Sequence, residues 1–173
     1  MTITINGSGT VTGIIAGGLP DAIITQPELA TGVAGTGPIL ITGSSTAVSV
    51  PSSTSTVFTS YNASVVDTAS AFSTTTGRFT PQVAGYYLVN AWTGWDSNGI
   101  NAVVISTTIL KNNSSYAYSG IGSGSVIYPK IEASSIVQMN GTTDYITVAA
   151  FQIGGGTASS IYALLQAVLI RVA

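Results

Sequence analysis

The sequence predicts an all-β domain, a sandwich or barrel of short antiparallel strands. Three observations carry that prediction. Thr (24) and Ser (22) make up 46 of the 173 residues, with 20 Gly beside them. Thr, Val, Ile and Tyr favour pleated, half-buried surfaces, whereas Gly, Ser and Asn punctuate turns. Apolar runs recur at roughly 8–12-residue spacing between turn clusters, as in sandwiches. No segment of any length carries the 3.6-residue period of an amphipathic helix.

Residues 1–36 differ in character from the rest of the chain. Thr2-Ile3-Thr4-Ile5 alternates ahead of an Asn6-Gly7 turn signal, which predicts a hairpin. The adjoining stretch holds Pro20 and Pro27, with room for one helical turn at Pro27–Ala30. A piece of this kind buries little by itself, so it is expected to be an attachment segment ordered by a partner. From residue 37 to residue 173 the chain reads as one head domain, long enough to bury roughly 70% of its unfolded surface. Strands are predicted at 39–42, 47–50 and 56–61, with Ser/Thr-rich connectors and Pro51 between them. A strong strand comes next at 86–92, then another at 101–110 that ends in the hairpin turn Lys111-Asn112-Asn113. Further strands are predicted at 115–121, 134–139, 144–152 and 161–172.

The last strand is apolar on both faces. One carries Ile161, Ala163, Leu165, Ala167 and Leu169; the other carries Tyr162, Leu164, Gln166, Val168 and Ile170. A strand with one wet face alternates apolar and polar, so something must cover the second face. No spare element exists in the chain to do so, and self-association is the economical answer. Obligate interfaces bury about 2,000–5,000 Å². Tyr162, Leu164, Leu165, Val168 and Ile170 are the expected interface residues.

Composition removes many functions. The basic residues are Arg78, Lys111, Lys130 and Arg171; the acidic ones are Asp21, Glu28, Asp67, Asp96, Glu132 and Asp144. Charged residues are 6% of the chain, against about a quarter in ordinary globular domains. A net charge of −2 leaves no electrostatic footprint for nucleic acid. The absence of Cys and His excludes thiol nucleophiles, Ser-His-Asp triads, His/Cys zinc sites and disulfides. No cofactor and no metal site is expected. No run approaches 18 uninterrupted apolar residues, since Ile161–Ile170 is broken by Gln166. The start MTITINGSG lacks a basic region and an apolar region, so a soluble chain without membrane insertion is expected.

The run from Ala71 to Val89, containing Gly77-Arg78-Phe79-Thr80 and Gly85-Tyr86-Tyr87-Leu88-Val89, resembles the signature of the complement C1q/tumour-necrosis-factor domain. Ile109-Leu110-Lys111-Asn112 resembles that family's Leu-x-Lys-Asn hairpin. Residues 134–147 and the closing Tyr162–Ile170 resemble its later strands, with one departure at Asn140–Asp144, where two residues separate Gly from Asp. The resemblance covers residues 37–173. It implies an antiparallel jelly-roll β-sandwich of about ten strands that assembles as a homotrimer. GTVTGIIAGGLPDAIITQPELATG resembles linkers ahead of terminal domains in bacteriophage fibre and tail proteins. Together these imply a non-enzymatic virion structural protein, assembled in the host cytoplasm. Residues 1–36 would hold it to other virion proteins. Its head would meet a host surface glycan or protein, as a tail fibre does. A capsid decoration or head-fibre protein that stabilises the shell is the alternative, and a polysaccharide-degrading enzyme is a further one.

The candidate sites come from strand parity. Counting back from a final strand that descends to the base, the connectors Thr93–Gly99, Gly122–Ala133 and Ile153–Ser160 share the distal tip. This gathers Trp95, Asp96, Asn98, Tyr128 and Lys130 as candidate receptor-binding residues, with the Gly154-Gly155-Gly156 loop. Trp92 is expected in the core. Trp95 reads either as a cap folded over the core or as an exposed ring that stacks on a sugar. A glycosidase needs two carboxyls about 5–9.5 Å apart; the best candidates are Asp96 with Glu132 or Lys130, which lie on connectors and also read as solvated loop charges. Gly120-Ile121-Gly122-Ser123-Gly124 reads as a flexible loop, because no Lys-Ser/Thr and no helix comes after it. The five Asn-x-Ser/Thr sequons at Asn6, Asn62, Asn112, Asn113 and Asn140 read as by-products of Ser/Thr-rich turns.

Overall fold

The computed structural model describes residues 37–96, 102–122, 129–154 and 157–172. Among them are twelve strands and no helix. They are β1 (Ile39–Ser44), β2 (Val48–Pro51), β3 (Thr56–Val57), β4 (Ala63–Asp67), β5 (Phe72–Ser73) and β6 (Arg78–Phe79), then β7 (Gly85–Trp95), β8 (Ala102–Lys111), β9 (Ser114–Gly122), β10 (Lys130–Met139), β11 (Ile146–Gly154) and β12 (Thr157–Val172). Two six-stranded sheets result. The first runs β10-β7-β12-β1-β4, with β2 also pairing β12; the second runs β5-β6-β11-β8-β9, with β3 pairing β11. Every pairing is antiparallel.

The longer strands lie where alternation predicts them, with shifted ends. β7 runs three residues past the expected stop at Trp92, and β10 begins at Lys130 rather than Ser134. The expected strand at 56–61 shrinks to Thr56–Val57. Beyond it Phe58 N–H still donates to Val148 O of β11 at 2.9 Å, and Tyr61 N–H turns away to Thr74 O at 3.0 Å. The expected hairpin at Thr2–Gly7, the turn at Pro27–Ala30 and the whole attachment segment 1–36 lie outside the described residues.

The core is the interleaf between the sheets. From the first sheet come Leu40, Tyr87, Val89, Ala91, Val137, Met139, Leu165 and Leu169; from the second come Phe79, Ile105, Ile109, Ile146, Val148 and Ala150. Hydroxyls at its edge are tied into a chain. The Trp95 indole N–H donates to Thr93 Oγ1 at 3.1 Å, Thr93 and Thr107 hydroxyls meet at 2.6 Å, and Thr107 donates to Ile131 O at 2.8 Å. With one proton per hydroxyl the chain runs from indole to carbonyl, tying β7, β8 and β10 together without an unmet donor. Gly85 permits the close pairing of β7 on β12, since a Cβ there would lie 2.4 Å from Arg171 O.

Register fixes which strand ends lie together. Ile39 pairs Val168, Gly85 pairs both Met139 and Val172, and Asn112 N–H donates to Tyr145 O at 3.0 Å. The described chain therefore enters at the end that also holds the β8–β9 hairpin, the β10–β11 turn and the end of β12. This end is called the base. At the other end Gly94 pairs both Lys130 and Tyr162, Gly154 pairs Ala102, Val104 pairs Gly122, and Asp96 N–H donates to Ser159 O at 3.0 Å. The strands flanking the connectors 97–101, 123–128 and 155–156 thus all end at this tip, as strand parity predicts.

Candidate functional site

Of the five candidate receptor-binding residues, the structure places three. Trp95 is 1% exposed and is the largest fully buried side chain among the described residues, so the exposed-ring reading is corrected. The physical reason is parity. Tyr87, Val89, Ala91, Thr93 and Trp95 all point inward from β7, whereas Tyr86, Leu88, Asn90 and Trp92 point outward. Trp92 is accordingly not core; its half-buried ring lies under Lys130, with Nζ 4.4 Å from the centroid. Lys130 itself opens β10 rather than sitting on a connector. Asp96 comes directly after β7, and Trp95 N–H donates to Pro129 O at 3.0 Å, so Asp96 and Lys130 are brought to one end of paired strands. Asn98, Tyr128, Gly155 and Gly156 lie outside the described residues.

The outer face of the first sheet carries an apolar rung beside a polar one. Across β10, β7, β12 and β1 the register aligns Ile136, Leu88, Val168 and Ile39 in one apolar rung. The next rung is Ser134, Asn90, Gln166 and Ile41, with the Ser134 hydroxyl donating to Asn90 Oδ1 at 2.6 Å. Beyond it lie Trp92 and Leu164, then Tyr162. Ile136 is 53% exposed and Tyr162 47%, and Ile170 and Leu88 are also exposed. A shallow depression of about 200 Å³ lies between Leu88, Asn90, Ile39 and Gln166. Tyr162, Leu164, Val168 and Ile170 therefore share one outer face. Leu165 does not, and its assignment to an interface is corrected. It is fully buried inside the single chain, because odd-numbered positions of β12 from Ala163 to Leu169 face the core.

The outer face of the second sheet is concave. Between β8, β9 and β11 it holds a groove of about 500 Å³ floored by Ser106, Thr108 and Leu110 and flanked by Tyr118 and Phe151. Sequence reasoning does not anticipate this groove.

The base holds an ion-pair cluster. Asp144 Oδ2 lies 2.9 Å from Lys111 Nζ, Asn112 Nδ2 donates to Asp144 Oδ1 at 2.7 Å, and Asn140 N–H donates to Oδ2 at 3.0 Å. The Lys111 ammonium, with Asn112 beside it, holds the Asp144 carboxyl below the usual carboxylate range. Gly141 has φ +72° and a Cβ there would sit 2.4 Å from Ala84 N, so the two-residue departure between Gly and Asp is built as a tight glycine turn. Among the described residues no three acidic groups gather as metal ligands. Glu132 stands on β10 opposite Trp92.

No protein-family model matches the chain, and no curated protein matches it. Solved structures do. The globular domain of zebrafish complement 1qA protein superimposes with a TM-score of 0.59 at 13% identity, over 79% of this chain and 99% of that one. PRD1 vertex protein P5 gives 0.57 at 15% identity, over 78% and 97%. Eiger TNF from S. frugiperda gives 0.54 at 16% identity, over 79% and 95%. At these identities the likeness speaks for the fold: the two sheets form a jelly roll of the C1q/TNF type.

Proposed function

We propose that the chain is a non-enzymatic structural protein of a bacteriophage particle, a homotrimer anchored through residues 1–36 and presenting its jelly-roll head outward. The observation that carries this reading is the apolar rung on the outer face of the first sheet, from Ile136 through Leu88 and Val168 to Ile39. Folded monomers rarely leave contiguous apolar patches beyond a few hundred Å² to water, and a cyclic assembly buries the same patch on every copy. The fold likeness to a phage vertex protein and the fibre-like linker composition of residues 1–36 support the virion setting. The distal end, with Asp96 and Lys130 and the connectors bearing Asn98 and Tyr128, is the part assigned to host contact.

The vertex likeness also favours a second reading, a decoration protein on the capsid shell. Sedimentation equilibrium of the full chain tests the trimer: a mass of three times 17.4 kDa is expected, and a stable monomer overturns it. Gold-labelled antibody on intact particles separates the two placements. Label at the tail supports the fibre and label at the shell supports decoration.

A further inference from the structure

We propose that the groove on the outer face of the second sheet binds one neutral pyranose unit of a glycan, with Tyr118 as the stacking platform. The groove's volume, about 500 Å³, falls within the range of small-molecule sites, roughly 300–1,000 Å³. Tyr118 is 76% exposed on β9. Its hydroxyl makes no hydrogen bond to a described residue. Tyr116 on the same strand does, donating to Ile136 O at 3.1 Å, and Tyr87 donates to Val83 O at 2.8 Å. An aromatic ring held in water beside a concave surface, rather than folded onto the core, offers its face to a ligand.

The floor and walls supply matching polar groups. Ser55, Ser106, Thr108 and Ser115 are among the residues lining the groove, beside Val104, Leu110 and Ile121, and none of these four hydroxyls is bonded to another described side chain. They stand as donors and acceptors that water satisfies in the free protein and ligand hydroxyls would satisfy in its place. Phe151 adds an apolar wall. A pyranose has both features in one molecule, an apolar C–H face for the ring and a rim of hydroxyls for the floor.

The charge of the ligand is set by the lining. No charged side chain is among the described residues of the groove. A carboxylate or sulfate would enter without a counter-charge and lose its hydration, which buried charge does not tolerate unpaired. The ligand is therefore neutral. The groove lies on the face opposite the Leu88–Val168 surface, so burying that surface in a trimer leaves three grooves open. A repetitive glycan would then gain avidity from weak single sites. The inference does not rest on the virion assignment, because it concerns the isolated protein.

The test uses the full chain and four probes: the methyl glycosides of glucose, galactose and N-acetylglucosamine, with glucuronic acid as the charged control. Titration at millimolar concentration, monitored by protein NMR, should shift the resonances of Tyr118 and Thr108 with at least one neutral glycoside and leave them unmoved with glucuronic acid. Tyr118→Ala should weaken that binding about tenfold, Tyr118→Phe should retain it, and neither should move the thermal midpoint. Thr108→Val keeps the shape and removes the hydroxyl, so it should also weaken binding whatever the Tyr118 variants do. Shifts confined to Asp96 and Lys130, equal binding of glucuronic acid, or no shift with any neutral probe would each overturn the proposal.

Discussion

Trp92 and Trp95 lie three residues apart on one strand and have opposite fates. Truncating Trp95, which fills the core and donates to Thr93 Oγ1, should destabilise the fold by about 3–5 kcal/mol. Truncating Trp92, whose outer ring carries Lys130, should cost about 1 kcal/mol or less. Chemical denaturation of both variants reads the contrast directly, and similar losses would contradict the parity of β7. That parity is present in the sequence as Tyr87, Val89, Ala91, Thr93, Trp95. Thr93-Gly94 masks it, because the pair has turn composition and suggests that the strand stops at Trp92. Asp144 gives a second residue-scale prediction. Its folded carboxyl is held below its ordinary value by Lys111 and Asn112, so its stabilising contribution is present above the unfolded value, about 4. It is lost as pH falls through the lower folded value. Asp144→Asn should therefore lower the thermal midpoint at neutral pH and leave it closer to wild type in strong acid. An unchanged difference between the two proteins from neutral pH to strong acid would refute that assignment.

At the level of elements, β12 shows how much a period-2 pattern settles. Its two apolar faces are legible from residues 161–172 alone, and its place beside β7 and β1 explains them: one face is core and the other lies in the middle of an exposed sheet. Alternation does not give which face is which, since both read as apolar, and Leu165 and Val168 look alike for that reason. The structure separates them. Leu165→Asp places an unpaired charge in the single-chain core and should abolish folding. Val168→Asp places it on the outer rung between Leu88 and Ile39 and should yield a folded monomer. Circular dichroism with sedimentation on both proteins distinguishes these outcomes, and loss of fold in both would remove the distinction. The β8–β9 hairpin is equally legible. Asn112 and Asn113 have φ of 51° and 65°, the left-handed pair a two-residue type I′ turn demands and Asn tolerates. The two-residue strands β5 and β6 are not legible, because two residues are too few to show an alternation: β5 pairs β6 at two positions, and β6 meets β11 at the single pair Phe79–Ile146.

On the scale of the whole molecule, antiparallel pairing alone sorts the connectors into base and tip, and counting strands from the C-terminus is enough to place them. The groove of the second sheet is beyond such counting. It arises where β8, β9, β11 and the Ser55 segment meet from distant parts of the chain, and no local pattern encodes a concavity. The same sorting bears on residues 1–36. The described chain begins at Gly37 beside the base, where Leu169 N–H donates to Pro38 O at 3.2 Å and β1 runs toward the tip. The core residues among those described all belong to the segment from Leu40 to Leu169. Deleting residues 1–36 should accordingly give a head with an unchanged thermal midpoint and unchanged oligomeric mass. In particles assembled with this truncated chain as the sole copy, the protein should be missing from purified virions while remaining folded in the lysate. Its incorporation at normal copy number would show that the attachment lies in the head itself, and a truncated chain that no longer folds would show that residues 1–36 are part of the domain.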